Sequence, residues 1–309
     1  MKNYNEAKGT GIPQFPANSR VVFLGDSLTG GSIWVQMIFD HYLKAFPRGN
    51  IRIHDCGVGM GTADYGLSCL EADTYTYDPT HVIIMYGFND IMGGKGGPNE
   101  KMDAFCNNMK RLINTLTKRG ITVYLMAEPP NDKRLDSGER ISELAAIATR
   151  RVAEECSLPL CDFYSLLEPI FDDRMRIDDG VHFSELGSAV LARAFLHAQG
   201  FDGYTPDDEG FFEPFEMSYD LDHRKIFSDK IRRTWLAMRS ISTTGDTTEA
   251  KIKRLYKRIE TRGDGAWDEF CYYRAVDFIE LYPHLDFYRE ELDRTTDMMI
   301  AKAMGQVNE

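Results

Sequence analysis

The sequence predicts an α/β domain on a five-stranded, flavodoxin-like parallel sheet over residues 1–203, followed by an all-helical extension over residues 204–309. Three observations carry that reading. Up to Gln199, five short apolar runs rich in branched residues alternate with longer amphipathic stretches. Runs of this kind, bounded by Gly, Pro, Asp or Asn, read as strands buried on both faces, and their alternation with helices requires right-handed crossovers. Beyond Gly203 the alternation stops, and four helical candidates follow without a strand.

The elements fall in a simple order. Val21–Leu24 precedes a helix over Ser32–Phe46, Ile51–His54 precedes Thr62–Tyr75, and His81–Tyr86 precedes Glu100–Arg119. Thr122–Ala127 precedes Glu139–Cys156, and Leu160–Phe163 precedes Ser184–Gln199. Asp202–Gly210, rich in Asp and Gly, reads as a linker. In the extension, Ile252, Leu255, Tyr256 and Ile259 fall at helical spacing behind Asp246-x-x-Glu249, which resembles a capping box. A further helix holds Trp267, Phe270, Tyr273 and Phe278. Pro283 separates it from the last, where Leu285, Tyr288, Leu292, Met299 and Ala303 line one face. Aromatics so placed read as bundle core rather than a ligand box.

With 43% hydrophobic and 27% charged residues the chain is globular in composition, which excludes collagen-like and largely disordered classes. No run approaches the ~20 apolar residues of a membrane span. Lys2 has no apolar core behind it, so no signal peptide is expected. The six cysteines show no C-x-x-C spacing and read as reduced thiols, which places the protein in the cytoplasm. A net charge of −12 disfavours nucleic acid as a partner. From Arg224 to Arg262 there are twelve basic residues against four acidic, and from Asp264 to Glu309 four against eleven. These blocks are either solvated helix faces or basic and acidic helices facing each other in one bundle. The extension is also a candidate surface for homo-oligomers.

Three segments fall at the C-terminal ends of expected strands, the edge where open parallel sheets bind ligands. They are Gly25-Asp26-Ser27-Leu28, Gly87-Phe88-Asn89-Asp90 and Asp179-Gly180-Val181-His182. Singly, each reads as a turn or a helix cap. Jointly, and in this order, they resemble the SGNH hydrolases, the GDSL esterase/lipase superfamily, over residues 18–200. The resemblance implies a three-layer α/β/α sandwich, with Ser27 as nucleophile, His182 as general base and Asp179 orienting His182. It further implies that the Asn89 amide donates to the oxyanion, with Asp26 and Gly87 in supporting positions. The chemistry is coherent. A Ser hydroxyl needs an adjacent base, an imidazole titrates near the working pH, and a carboxylate three residues earlier can reach its second nitrogen. The Ser27 N–H at a helix start suits an oxyanion together with Asn89. No G-x-S-x-G elbow occurs, which disfavours an α/β-hydrolase.

The fourth family block departs from its pattern. Where the family carries Asn-x-x-x-x-Gly-x-Thr, this chain has Asp55 through Thr62, with Asp55 in place of Asn and Met60 in place of Gly. The N–H of Met60, or of its neighbours Gly59 and Gly61, would complete the oxyanion hole. The same segment fails the dinucleotide fingerprint, because position 62 is Thr rather than Gly. Gly93–Gly97 is no P-loop, since no Ser or Thr follows Lys95, and reads as a candidate lid just past Asn89. No compact ligand spacing argues for a metal, and no cofactor is expected. The expected function is a serine esterase for small acyl esters, such as O-acetylated sugars. A long-chain lipid is disfavoured by the lack of an amphipathic membrane signal. A lysophospholipase or thioesterase is the enzymatic alternative. The non-enzymatic alternative is a scaffold whose helical tail mediates assembly.

Overall fold

Each of the five apolar runs forms a strand of one parallel sheet in the order β2-β1-β3-β4-β5. The strands are β1 (Arg20–Gly25), β2 (Arg52–Gly57), β3 (His81–Met85), β4 (Thr122–Ala127) and β5 (Leu160–Asp162). The computed structural model describes residues 11–206, 209–219, 222–239, 248–261, 275–276 and 278–305. All five residues of β3 are buried, as are five of the six in β1, because helices cover both faces of the sheet. On one side α2 (Trp34–Ala45) packs against α8 (Glu185–Ala198); α3 (Ala63–Asp73), α5 (Pro98–Thr117) and α6 (Ile141–Cys156) form the other layer. Three short helices, α1 (Ser27–Gly30), α4 (Phe88–Gly93) and α7 (Phe163–Leu167), follow β1, β3 and β5 directly.

The differences from expectation have local causes. β2 runs three residues past His54 because its pairing with β1 continues to Gly25 opposite Gly57. Asp55 is tolerated there, its Oδ1 accepting the Gly57 N–H at 2.9 Å. β5 stops at Asp162, whose side chain caps α7 by accepting the Ser165 N–H. Gly93–Gly97 joins α4 to α5, and Glu100 accepts the Gly97 N–H at 2.8 Å at the start of α5.

The chain divides into two compact units, Met1–Ser218 and Tyr219–Glu309, fifteen residues beyond the expected boundary at Gly203. The extra segment is held by polar groups on α2 and α8. The Tyr204 hydroxyl lies 2.9 Å from His41 Nδ1, Arg193 donates to the Phe211 and Pro214 carbonyls at 3.1 and 3.0 Å, and Asp40 accepts the Ser218 N–H at 2.7 Å. In the second unit the structure describes α9 (Asp222–Arg239), α10 (Thr248–Glu260) and α11 (Leu285–Ala303). Basic α9 packs along acidic α11, where Leu285, Tyr288, Leu292 and Met299 are buried as their spacing predicts and Thr296 accepts from the buried Arg224 at 3.0 Å. Tyr256 of α10 is exposed instead of core-facing. Asp246, Trp267, Phe270 and Tyr273 lie outside the described residues. No helix among the described residues is long and apolar enough to cross a membrane.

The sheet edge that carries the motifs is clamped by a close backbone approach. A Cβ on Gly57 would lie 2.2 Å from the Gly30 nitrogen, and one on Gly30 would lie 2.2 Å from the Gly57 carbonyl oxygen. The end of β2 therefore presses on the turn that bears Ser27. From below, the buried Trp34 donates its indole N–H to the Leu28 carbonyl at 2.9 Å and packs edge-on against Phe23. Gly57→Ala should overpack this contact and lower stability by about 1–3 kcal/mol in urea unfolding. An unchanged midpoint would show that the turn is not clamped.

Candidate active site

Ser27 is the first residue of α1, directly after the N-cap Asp26. Asp26 is 1% exposed; its Oδ1 accepts the Leu28 N–H at 2.8 Å, which fixes the chain reversal that presents Ser27 at the sheet edge. His182 Nε2 lies 2.9 Å from Ser27 Oγ, and His182 Nδ1 lies 2.5 Å from Asp179 Oδ2. These three side chains, 155 residues apart in sequence at the extremes, thus form one continuous chain of contacts.

The loop that bears His182 and Asp179 is locally self-supporting. Arg176 bridges Phe183 in antiparallel fashion, and the Ile177 N–H donates to the His182 carbonyl at 3.0 Å. Asp179 Oδ1 accepts the Val181 and His182 N–H groups at 2.8 and 2.9 Å. Partial burial raises the Asp179 pKa, but the His182 ring and these two N–H donors outweigh it and hold the carboxyl at about 2. Ionised at neutral pH, Asp179 is an acceptor only, so Nδ1 is the donor and Nε2 is left to accept from Ser27 Oγ. Asp179 and His182 keep 44% and 38% of their side chains exposed, so this end of the constellation is open to solvent.

Asn89 sits in the first turn of α4, where its Nδ2 donates to Asp26 Oδ2 at 2.9 Å and to the Gly61 carbonyl at 3.0 Å. Both amide hydrogens therefore have protein acceptors, a pairing that the motif alone does not reveal. Gly87 caps α4 at φ +146°, with its carbonyl accepting the Ile91 N–H at 2.8 Å. Asp90 accepts the Ala63 N–H at the start of α3 with its two oxygens at 3.1 and 3.2 Å; burial pushes its carboxyl up to about 7 despite that bond, and the Asp26 charge adds to the shift.

Val58–Gly61 forms a tight turn. The Gly61 N–H donates to the Val58 carbonyl at 2.8 Å, so that donor is committed. Gly59 also has an interaction of its own. Met60 adopts φ +59°, a left-handed conformation that glycine takes at much lower cost, and its side chain is 54% exposed. The Met60 N–H makes no hydrogen bond among the described residues.

Sequence reasoning missed two buried residues behind the site. Glu128 ends the apolar run of β4, and its Oε1 accepts the Phe88 N–H at 2.8 Å. Arg176 donates to the Val181 and Pro130 carbonyls. The only signal for Glu128 is an acid placed directly after the apolar end of β4; Arg176 has none. Among the described residues no three His, Cys, Asp or Glu side chains are grouped to hold a metal ion.

The geometry coincides with a match to known proteins. Residues 23–190 fit the model of the GDSL-like Lipase/Acylhydrolase family. An uncharacterized lipoprotein of Bacillus subtilis, YqeF, is 31% identical over 113 residues, 34% of this chain and 46% of that one, so the chain spans about half the length of this curated relative. Among solved structures, a gut microbial diltiazem-metabolizing enzyme is similar over 96% of this chain and 97% of its own at 15% identity, with a TM-score of 0.65. A catalytic mutant of Axe2, an acetylxylan esterase from Geobacillus stearothermophilus, is similar over 62% of this chain and 99% of its own at 25% identity and a TM-score of 0.50. A putative GDSL-like lipase from Parabacteroides merdae covers 60% of this chain and 98% of its own at 18% identity and 0.53. With more than half its length matched and the motifs at one sheet edge, the chain belongs to the GDSL-like lipase/acylhydrolase family.

Proposed function

We propose that the protein hydrolyses small acyl esters, acetyl esters first, through an acyl-enzyme on Ser27. The single observation that supports this best is the contact chain from Ser27 Oγ to His182 Nε2 at 2.9 Å and from His182 Nδ1 to Asp179 at 2.5 Å. In the reading we favour, His182 accepts the Ser27 proton as Oγ attacks the ester carbonyl, then returns it to the leaving alcohol. A water activated by the same imidazole cleaves the acyl-enzyme and regenerates Ser27. Asp179 holds the tautomer and balances the imidazolium that forms between these steps.

The tetrahedral oxyanion is assigned to the N–H groups of Ser27 and Met60 and to the Asn89 amide. Asn89 reaches it by exchanging its bond to the Gly61 carbonyl for one to the oxyanion, while Asp26 keeps the other hydrogen. O-acetylated sugars are the alcohol half we favour, in line with the acetylxylan esterase among the structural relatives. We place the reaction in the cytoplasm on the unpaired spacing of the cysteines.

Ser27→Ala and His182→Ala should each lower hydrolysis of p-nitrophenyl acetate by ~10⁴-fold without loss of the circular dichroism of the folded chain. A fluorophosphonate probe should label the wild type at Ser27. Wild-type turnover in either folded variant would end the triad assignment. Asn89→Ala should cut kcat by about 10²–10³-fold with KM little changed, as for loss of one oxyanion donor. A change confined to KM would mean that Asn89 binds the ground state only. Met60→Gly should relieve the left-handed backbone and stabilise the fold by roughly 1 kcal/mol, with kcat kept within a few-fold. A large loss of kcat would show that the Met60 side chain itself takes part.

A further inference from the structure

Glu128 is out of place for stability. It is wholly buried; one oxygen accepts a single N–H, and the other has no partner among the described residues. The charged groups facing it are Asp26 and Asp90, like in sign, and Arg176. Burial pushes its carboxyl well above the usual range, and the Asp26 charge adds to this. An apolar side chain would fill the same volume without that cost. What Glu128 does provide is one acceptor for Phe88 N–H, the residue before Asn89, at the start of a helix only six residues long.

Arg176 makes the complementary attachment. It is 9% exposed, lies over the Phe183 ring at 4.2 Å, and joins the Val181 carbonyl, next to His182, to the Pro130 carbonyl, two residues past Glu128. Its Nε has no partner among the described residues. Here too an imperfectly satisfied buried group persists where two loops must keep a fixed distance.

We propose that Glu128 and Arg176 are positioning residues that fasten the Asn89 helix and the His182 loop to one strut, the β4 exit Glu128-Pro129-Pro130, and so set the separation between the oxyanion donor and the general base. The proposal rests on the reading of Ser27 as nucleophile. Glu128 acts through Asn89, by accepting the Phe88 N–H. Arg176 acts through His182, by holding the carbonyl of the preceding residue.

The test is steady-state hydrolysis of p-nitrophenyl acetate by full-length variants, each checked for folding by circular dichroism. Glu128→Ala and Arg176→Met should each lower kcat by about 10–10²-fold with KM within about twofold, the size expected from a displaced catalytic group. Glu128→Gln should restore kcat to within a few-fold, since its amide oxygen accepts the same N–H without charge. In an Asn89→Ala background Glu128→Ala should cost little more, whereas Arg176→Met should keep its full effect. If Glu128→Ala does not fold, Glu128→Asp, one methylene short of Phe88, replaces it in the cycle. Wild-type kcat in a folded Glu128→Ala or Arg176→Met, a loss seen only in KM, full additivity of Glu128 with Asn89, or a Gln variant as impaired as Ala would each overturn the proposal. Failure of the underlying reading is distinct: Ser27→Ala would then remain active, whatever the Glu128 variants do.

Discussion

The Asp26 carboxylate is the interaction on which the rest of the site depends. It is buried at 1% exposure, and its two oxygens serve different elements: one caps α1 behind Ser27, the other takes an amide hydrogen of Asn89. A carboxylate taken out of water is tolerated only when donors replace the lost solvation. Two of its donors come from the elements that must meet at the site, the Ser27 turn and the Asn89 helix. The satisfaction of one buried charge therefore aligns both. Its carboxyl neighbours Asp90 and Glu128 are both raised, first by burial and then by the Asp26 charge, Asp90 to about 7.

The opposite end of the constellation follows a different principle. Asp179 is 44% exposed, so neither burial nor packing can orient His182 there. Orientation comes instead from the loop's own backbone: Asp179 accepts two N–H groups of the residues it must align, and the bridge between Arg176 and Phe183 closes the base of the loop. The site thus joins a buried side, organised around Asp26 and Asn89, to a solvent-facing side, organised by the loop that bears His182. The segment that leaves β4 touches both, through Glu128 and Pro130.

Much of this was legible in the sequence. The strands were, because runs buried on both faces are short, branched and sharply bounded, and the Ser27 and Asn89 segments were, because they follow β1 and β3; Asp179–His182 does not end a strand as expected but lies on the loop before α8, well past the end of β5, because α7 intervenes. α4 was not: six residues between Gly87 and Gly94 are too few for a period of 3.6 to show. Phe88-Asn89-Asp90 therefore reads as a turn, although it is the first turn of a helix. Arg176 and Glu128 were invisible for another reason, since their partners are backbone groups 5, 46 and 40 residues away and no spacing encodes such contacts. Met60 illustrates a third limit. Its alignment with a family glycine was readable, but the left-handed φ of +59° belongs to the turn and not to the side chain. Asp202–Gly210 looked like a linker because its composition is acidic and Gly-rich, yet Tyr204 within it and Phe211–Ser218 after it are fixed to α2 and α8 by polar contacts that carry no pattern.

The most direct measurement is acid quench of the enzyme during turnover of an excess of p-nitrophenyl acetate, followed by mass spectrometry of its peptides. The account predicts one acetyl group on the peptide that contains Ser27, gained in the dead time together with a stoichiometric burst of p-nitrophenol, and none on that peptide in Ser27→Ala. Turnover without any acylated Ser27 peptide and without a burst, or an acetyl group carried on another residue that turns over at the same rate, would contradict it.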